Sequence, residues 1–197
     1  DSIITQSNAL DVKATESTLI IAVSGAGALS TNQKGGFGLA GAVTVNWIDN
    51  ETTAYIHNST LENIGALTVK SDATGRIIGV AAGLSGATRG TGIAGSVGIN
   101  LIFGDTDAYV DAGSVITGAT TVDIKAKDIS SIITVAGALA YGGKAGVGAG
   151  VAVNYIDCST DAYVADSDLI ASGALTLGAE NDADILAVAA AIGVSKG

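Results

Sequence analysis

Between positions 67 and 72, Leu67, Val69 and Ser71 alternate with Thr68, Lys70 and Asp72. One side of that segment is apolar or small and the other is wet, the period-two signature of a half-buried strand. The pattern then changes character without losing its period. From Ile77 to Leu84, the side chains of Ile78, Val80, Ala82 and Leu84 fall on one side and those of Ile77, Gly79, Ala81 and Gly83 on the other, so both faces are apolar, one bulky and one small. After a Gly-rich turn, Val97, Ile99 and Leu101 oppose Gly98, Asn100 and Ile102 in a return strand. Together the two predict a long apolar hairpin buried on both sides. A fourth strand around Ala108, Tyr109 and Val110 leads through a turn into the next unit.

That unit recurs. NWIDNETTAYI, NLIFGDTDAYV and NYIDCSTDAYV begin at Asn46, Asn100 and Asn154, a return after 54 residues, twice. LDVKA, LTVKS, VDIKA and LTLGA begin at Leu10, Leu67, Val122 and Leu175, with spacings of 57, 55 and 53 residues. Val23 to Asn46 is 23 residues, against 20 from Val80 to Asn100 and 19 from Val135 to Asn154, so insertions are expected in the Gly-rich turn, Leu29 to Gly36 and its counterparts around Arg89 and Lys144. The expected fold is all-β, a parallel β-helix-like β-solenoid of about 54-residue repeats, each carrying the hairpin; two unequal coils per repeat would fit the period as well. Residues 1–197 read as one repeat array with units at about 9–65, 66–120, 121–173 and 174–197, the last incomplete. Asp1 aligns with Asn58 and Gly197 with Lys144, so the array starts and stops inside a repeat and is expected to extend both ways.

Composition narrows the function. Hydrophobic residues make up 48% of the chain, yet there are 28 Gly, no Pro, no Met and only 4% aromatics, so burial has to come from Ala, Val, Ile and Leu. A net charge of −10, from 19 acidic against 9 basic residues, argues against nucleic acid as a partner. The apolar stretches Ile77 to Phe103 and Ile132 to Ile156 are long enough to be membrane helices, but Arg89 and Lys144 interrupt them beside glycines, and their β-branched ends favour strands.

Candidate chemistry is sparse. His57 is the single histidine, its repeat counterparts being Asp111 and Ala165; Cys158 is the single cysteine and aligns with Asn50 and Gly104, a turn position. Neither has the partners that a triad or a zinc site requires. Asp49, Glu51, Asp105, Asp107, Asp157 and Asp161 recur in one acidic loop that could offer oxygens to calcium, although solvated turn residues explain them more simply. Asn46, Asn100 and Asn154 share a repeat position flanked by apolar residues, where stacked amides can satisfy one another. Tyr55, Tyr109 and Tyr163 recur three residues after Thr52, Thr106 and Thr160, a regularity that suggests packing. Lys34, Arg89 and Lys144 all sit in the hairpin loop, with Lys196 near the same place in the last unit, where charge discourages sheet aggregation or meets an anionic membrane. No catalytic, cofactor-binding or metal-binding residue is assigned, and no cofactor is expected.

The stretches SSIITVAGALAYGGKAGVGAGVAVNYIDCSTDAYVADS and ALTVKSDATGRIIGVAAGLSGA resemble the tandem repeats of very large bacterial surface proteins, namely filamentous-haemagglutinin-like, autotransporter and leukotoxin-like filamentous adhesins. The likeness covers essentially the whole chain and rests on repeat texture. It implies export to the cell surface, β-helical folding and a role as stalk, adhesin or fibre on a bacterial, host or neighbouring cell surface, and it carries no site residues across. Further copies of the repeat along the axis, and self-association into fibres, are the expected partners. The leading expectation is a non-catalytic stalk or filament segment of a secreted adhesin; the second is a membrane-active toxin region that uses its basic-tipped hairpins.

Overall fold

The structure, a computed structural model, describes residues 2–196. Asp1 and Gly197, aligned above with Asn58 and Lys144, lie outside the described residues. The fold is an all-β parallel solenoid with one coil per repeat, which removes the two-coil alternative. Each complete coil has two very long strands and one short one. The first long strands are β2 (Ser7–Ser30), β5 (Ile64–Ala87), β8 (Thr121–Gly142) and β11 (Leu175–Ser195); the second are β3 (Phe37–His57), β6 (Thr91–Asp111) and β9 (Ala145–Val164). The short ones are β1 (Ile3–Ile4), β4 (Thr60–Glu62), β7 (Val115–Ala119) and β10 (Asp168–Ala171). Like stacks on like. The parallel sheets run β11-β8-β5-β2, β3-β6-β9 and β1-β4-β7-β10.

Four strands per repeat therefore become three. The half-buried strand at Leu67 and the two-faced strand at Ile77 are one continuous element, β5, and the return strand is continuous with the Tyr109 segment in β6. The two arms of each hairpin pair with their counterparts in neighbouring coils rather than with each other, and they face one another as two layers. Asp72 to Arg76 and Gly104 to Asp107, polar and glycine-containing, look like breaks, but parallel neighbours hold them extended.

The size of the inward side chains sets the distance between layers. At the wide end the short sheet props the long ones apart around Leu61, Ile64, Leu67, Val69, Val110, Ile116, Val122 and Ile124. Midway, Ile48, Ile77, Ile102 and Ile132 fill a thinner waist. Towards the loop the core is of small residues such as Ala81, Ala94, Ala136, Ala138 and Ala140, and a Cβ on Gly83 would run into the Gly95 backbone. The coil is thus a wedge, broad at one edge and tapering to a blade at the other. The hairpin is not buried on both sides. Its small face lies inside and its bulky face outside, because only Gly, Ala, Ser and Thr let the layers come this close.

Corners close the wide end. Asn58, Ala112 and Asp166, each 54 residues apart, turn the chain from the second layer into the short sheet with φ of 45°, 54° and 48°. Asn63 and Gly118, with φ of 53° and 70°, turn it from the short sheet into the next coil.

Candidate functional site

Asn46, Asn100 and Asn154 point inward at the base of the blade and stand in direct register. Asn46 Nδ2 donates to Asn100 Oδ1 at 2.7 Å and Asn100 Nδ2 to Asn154 Oδ1 at 2.8 Å. Thr134 on the opposite layer joins them, accepting from Asn100 Nδ2 at 2.5 Å and donating to Asn154 Oδ1 at 2.6 Å. The ladder fits there because Gly79 lies opposite Asn100: a Cβ at that position would sit 2.9 Å from the Asn100 oxygen. Its central amide, Asn100, is engaged on both sides.

Thr52, Thr106 and Thr160 also point inward, one waist further down. Thr52 Oγ1 donates to Glu16 Oε2 at 3.1 Å, and Thr52 O accepts from Ser71 Oγ at 2.6 Å. Tyr55, Tyr109 and Tyr163 lie on the opposite, outer face as a stack, with ring centroids 5.4 and 4.9 Å apart and planes within 15° and 6°. The carboxylates expected in a turn lie instead within β3, β6 and β9, on the same outer face as the tyrosines. Asp107 faces Asp161 across one strand spacing. Partial burial raises its carboxyl above the usual range, and the charges of Asp161, Asp105 and Glu51 push it further. Among the described residues no group of three or more His, Cys, Asp or Glu side chains could hold a metal ion.

His57 sits at the end of β3, paired with Asp111 Oδ1 at 2.8 Å and largely exposed. Cys158 lies inside β9 rather than in a turn; its Sγ is 3.4 Å from Ser130 Oγ, and burial, ahead of the nearby Asp128 charge, pushes the thiol up. A partly buried thiol held protonated in this way is a poor nucleophile. Nothing here brings His57 and Cys158 together: they occupy different coils and opposite faces of one sheet.

What the sequence reading missed is the surface of the blade. On the first layer the outward positions from Ile21 to Leu29, through the registers of β5 and β8 to Leu186–Val194, hold only apolar residues and glycine apart from Tyr141. On the second layer the rows from Leu39 to Trp47, through Ile93–Leu101 to Val147–Tyr155, do the same, with Trp47 and Tyr155 at the margin. Much of this is open to solvent, Leu84 at 55%, Val135 at 40% and Ile93 at 37% in the inner strands, and more in the end coil, with Val23 at 74%. The two bands share a height, since Gly83 opposes Gly95 and Gly75 opposes Ile102. Both end at a row where polar residues enter, Arg76, Ser131 and Asp184 beside Leu19 on one layer and Asp49 and Asp157 beside Phe103 on the other. The signal was present in the bulky-and-small division of Ile77–Leu84; which face would be inside was not.

Charge follows the same boundary. None of the 19 acidic residues falls within 19–47, 76–103, 131–156 or 185–196, whereas Lys34, Arg89, Lys144 and Lys196 gather at the blade tip. Among the described residues no helix is long and apolar enough to cross a membrane, which leaves strands untouched as a question. No family model matches the chain, and neither a curated protein nor a solved structure matches it.

Proposed function

We propose that the chain is a non-catalytic structural segment of a secreted bacterial surface adhesin, a length of stalk or filament continued by further copies of its own repeat. The observation that carries this reading is the unbroken register of repeat on repeat, residue against residue along every long strand. Such a stack presents at each end the same ladder it is built from, so it elongates without a new interface. Engineered arrays of increasing copy number, imaged by electron microscopy, are expected to lengthen by about 4.8 Å per repeat at constant width. Arrays that resolve into separate beads would remove the filament reading.

A second reading, a membrane-active region, is favoured by the apolar outer faces of the blade. Release of dye from anionic vesicles is its expected signature, and vesicles that stay sealed at micromolar protein would eliminate it.

A further inference from the structure

We propose that the blade of the wedge seats across a lipid bilayer, with its basic tip at the far headgroups and the acidic wide end left in water. The inference deepens the second reading above and shares its premise that the blade meets lipid. Four observations carry it together.

The first is height. Ile21 to Leu29 and Leu39 to Trp47 each advance eight residues, about 26 Å of extended strand. The hydrocarbon core of a bilayer is about 30 Å thick, and the apolar belt of membrane-spanning β-proteins is about 25 Å tall. The second is two-sidedness. Both outer faces of a thin double layer are apolar between the same two levels. A second copy covering one face would leave the other bare and would recruit copies without end; lipid covers both at once.

Aromatic placement is the third. Trp47, Phe103 and Tyr155 cluster at the lower margin, with neighbouring rings 5.1 and 5.7 Å apart, and Phe37 and Tyr141 lie near the upper one. Aromatic rings gather at both levels where hydrocarbon meets headgroup. Charge is the fourth. The tip carries Lys34, Arg89, Lys144 and Lys196 and no acid, a complement to anionic headgroups, while every Asp and Glu among the described residues lies below the band.

The interior suits the setting. Small side chains fill it, mostly Ala and Gly with Ser24, Thr44, Ser85, Ser96 and Thr134 among them, and the asparagine ladder bonds within itself. Parallel neighbours satisfy the backbone of every inner strand, and the four end strands of the blade, β2, β11, β3 and β9, require another coil or copy beside them, since hydrocarbon does not tolerate an unpaired ladder.

Trp47 is the single tryptophan and reports depth without any substitution. The chain is mixed with vesicles of phosphatidylcholine and phosphatidylglycerol, floated on a density gradient, and read by Trp47 emission with bromines at known depths of the acyl chain. Flotation is expected, with a blue shift and stronger quenching by bromines near the headgroup than by those at the chain end. Val43→Asp and Val135→Asp, charges at mid-band on exposed positions, are expected to lower vesicle partition about tenfold or more. Thr74→Asp, on the wet outer face of the wide end, adds the same charge and is expected to leave partition unchanged; circular dichroism checks that all three variants keep the parent fold. Protein that stays at the bottom of the gradient, or that floats with Trp47 unquenched, overturns the inference. So does a discrete lipid-free oligomer that Val43→Asp or Val135→Asp disperses, which would make a second copy the occupant. Quenching without dye release would sink the membrane-active reading and keep the seated blade; dye release without quenching would do the reverse.

Discussion

Asn100 is fully buried and bonded to three side chains on two layers, so its loss strands partners as well as removing its own bonds. Asn100→Leu is expected to cost about 2–4 kcal/mol, read as a shift in urea midpoint, because the amide of Asn46 and the oxygens of Asn154 and Thr134 lose a partner in a dry interior. Ala112 makes the opposite case. It occupies a left-handed corner where the other coils have Asn58 and Asp166, whose short polar side chains tolerate that backbone. Ala112→Asn is expected to stabilise by ~0.5–1 kcal/mol in the same assay, and no gain would show that the corner is not strained. Asp107 adds a pH dependence. Its carboxyl binds a proton more tightly folded than unfolded, so a penalty on the folded state is absent below the ordinary value of 3.8, grows between that and the elevated one, and is complete above it. Asp107→Asn should therefore raise the urea midpoint at pH 7 and do so much less at pH 3; an equal gain at both would assign the effect to something other than charge.

The long strand is the element that most reshapes the sequence reading. The small side of its upper half, Gly79, Ala81 and Gly83 with Thr134, Ala136 and Ala138, was legible as a face needing close cover, and it lies against the second layer. Ala136→Leu adds three carbons there and is expected to destabilise by roughly 1–3 kcal/mol through overpacking. Lys125→Leu, on the wet face, introduces the same side chain and should change the urea midpoint little; equal midpoints would contradict the wedge. The period of two was readable at every step, but the continuity of the strand was not. Polar and glycine positions such as Asp49 to Glu51 or Gly104 to Asp107 have turn propensity, and only pairing with neighbouring coils, which no local window contains, keeps them extended. For the same reason the carboxylates were assigned to a loop. The outer apolar face was visible as residues yet ambiguous as a surface, because a strand with two apolar sides does not declare which one water meets.

For the whole molecule, each repeat of 54 residues advances the axis by one strand spacing, about 4.8 Å, and puts its length into width, close to 70 Å for the 21 residues of β6. Such an array is economical for presenting a broad face and costly for reaching far. The same in-register identity of coils has a kinetic side. Every long-strand pairing closes a loop of nearly one repeat, and skipping a coil doubles that loop at a cost of only about 0.6 kcal/mol in closure entropy. An unfolded chain released all at once can therefore join β2 to β8 almost as readily as to β5, with a whole coil looped out. A chain delivered from one end meets a single open edge at a time and has no such choice. Refolding from urea should accordingly be slow and heterogeneous, and it should become more so with each coil added, whereas vectorial emergence makes the order of synthesis the proofreader of the register.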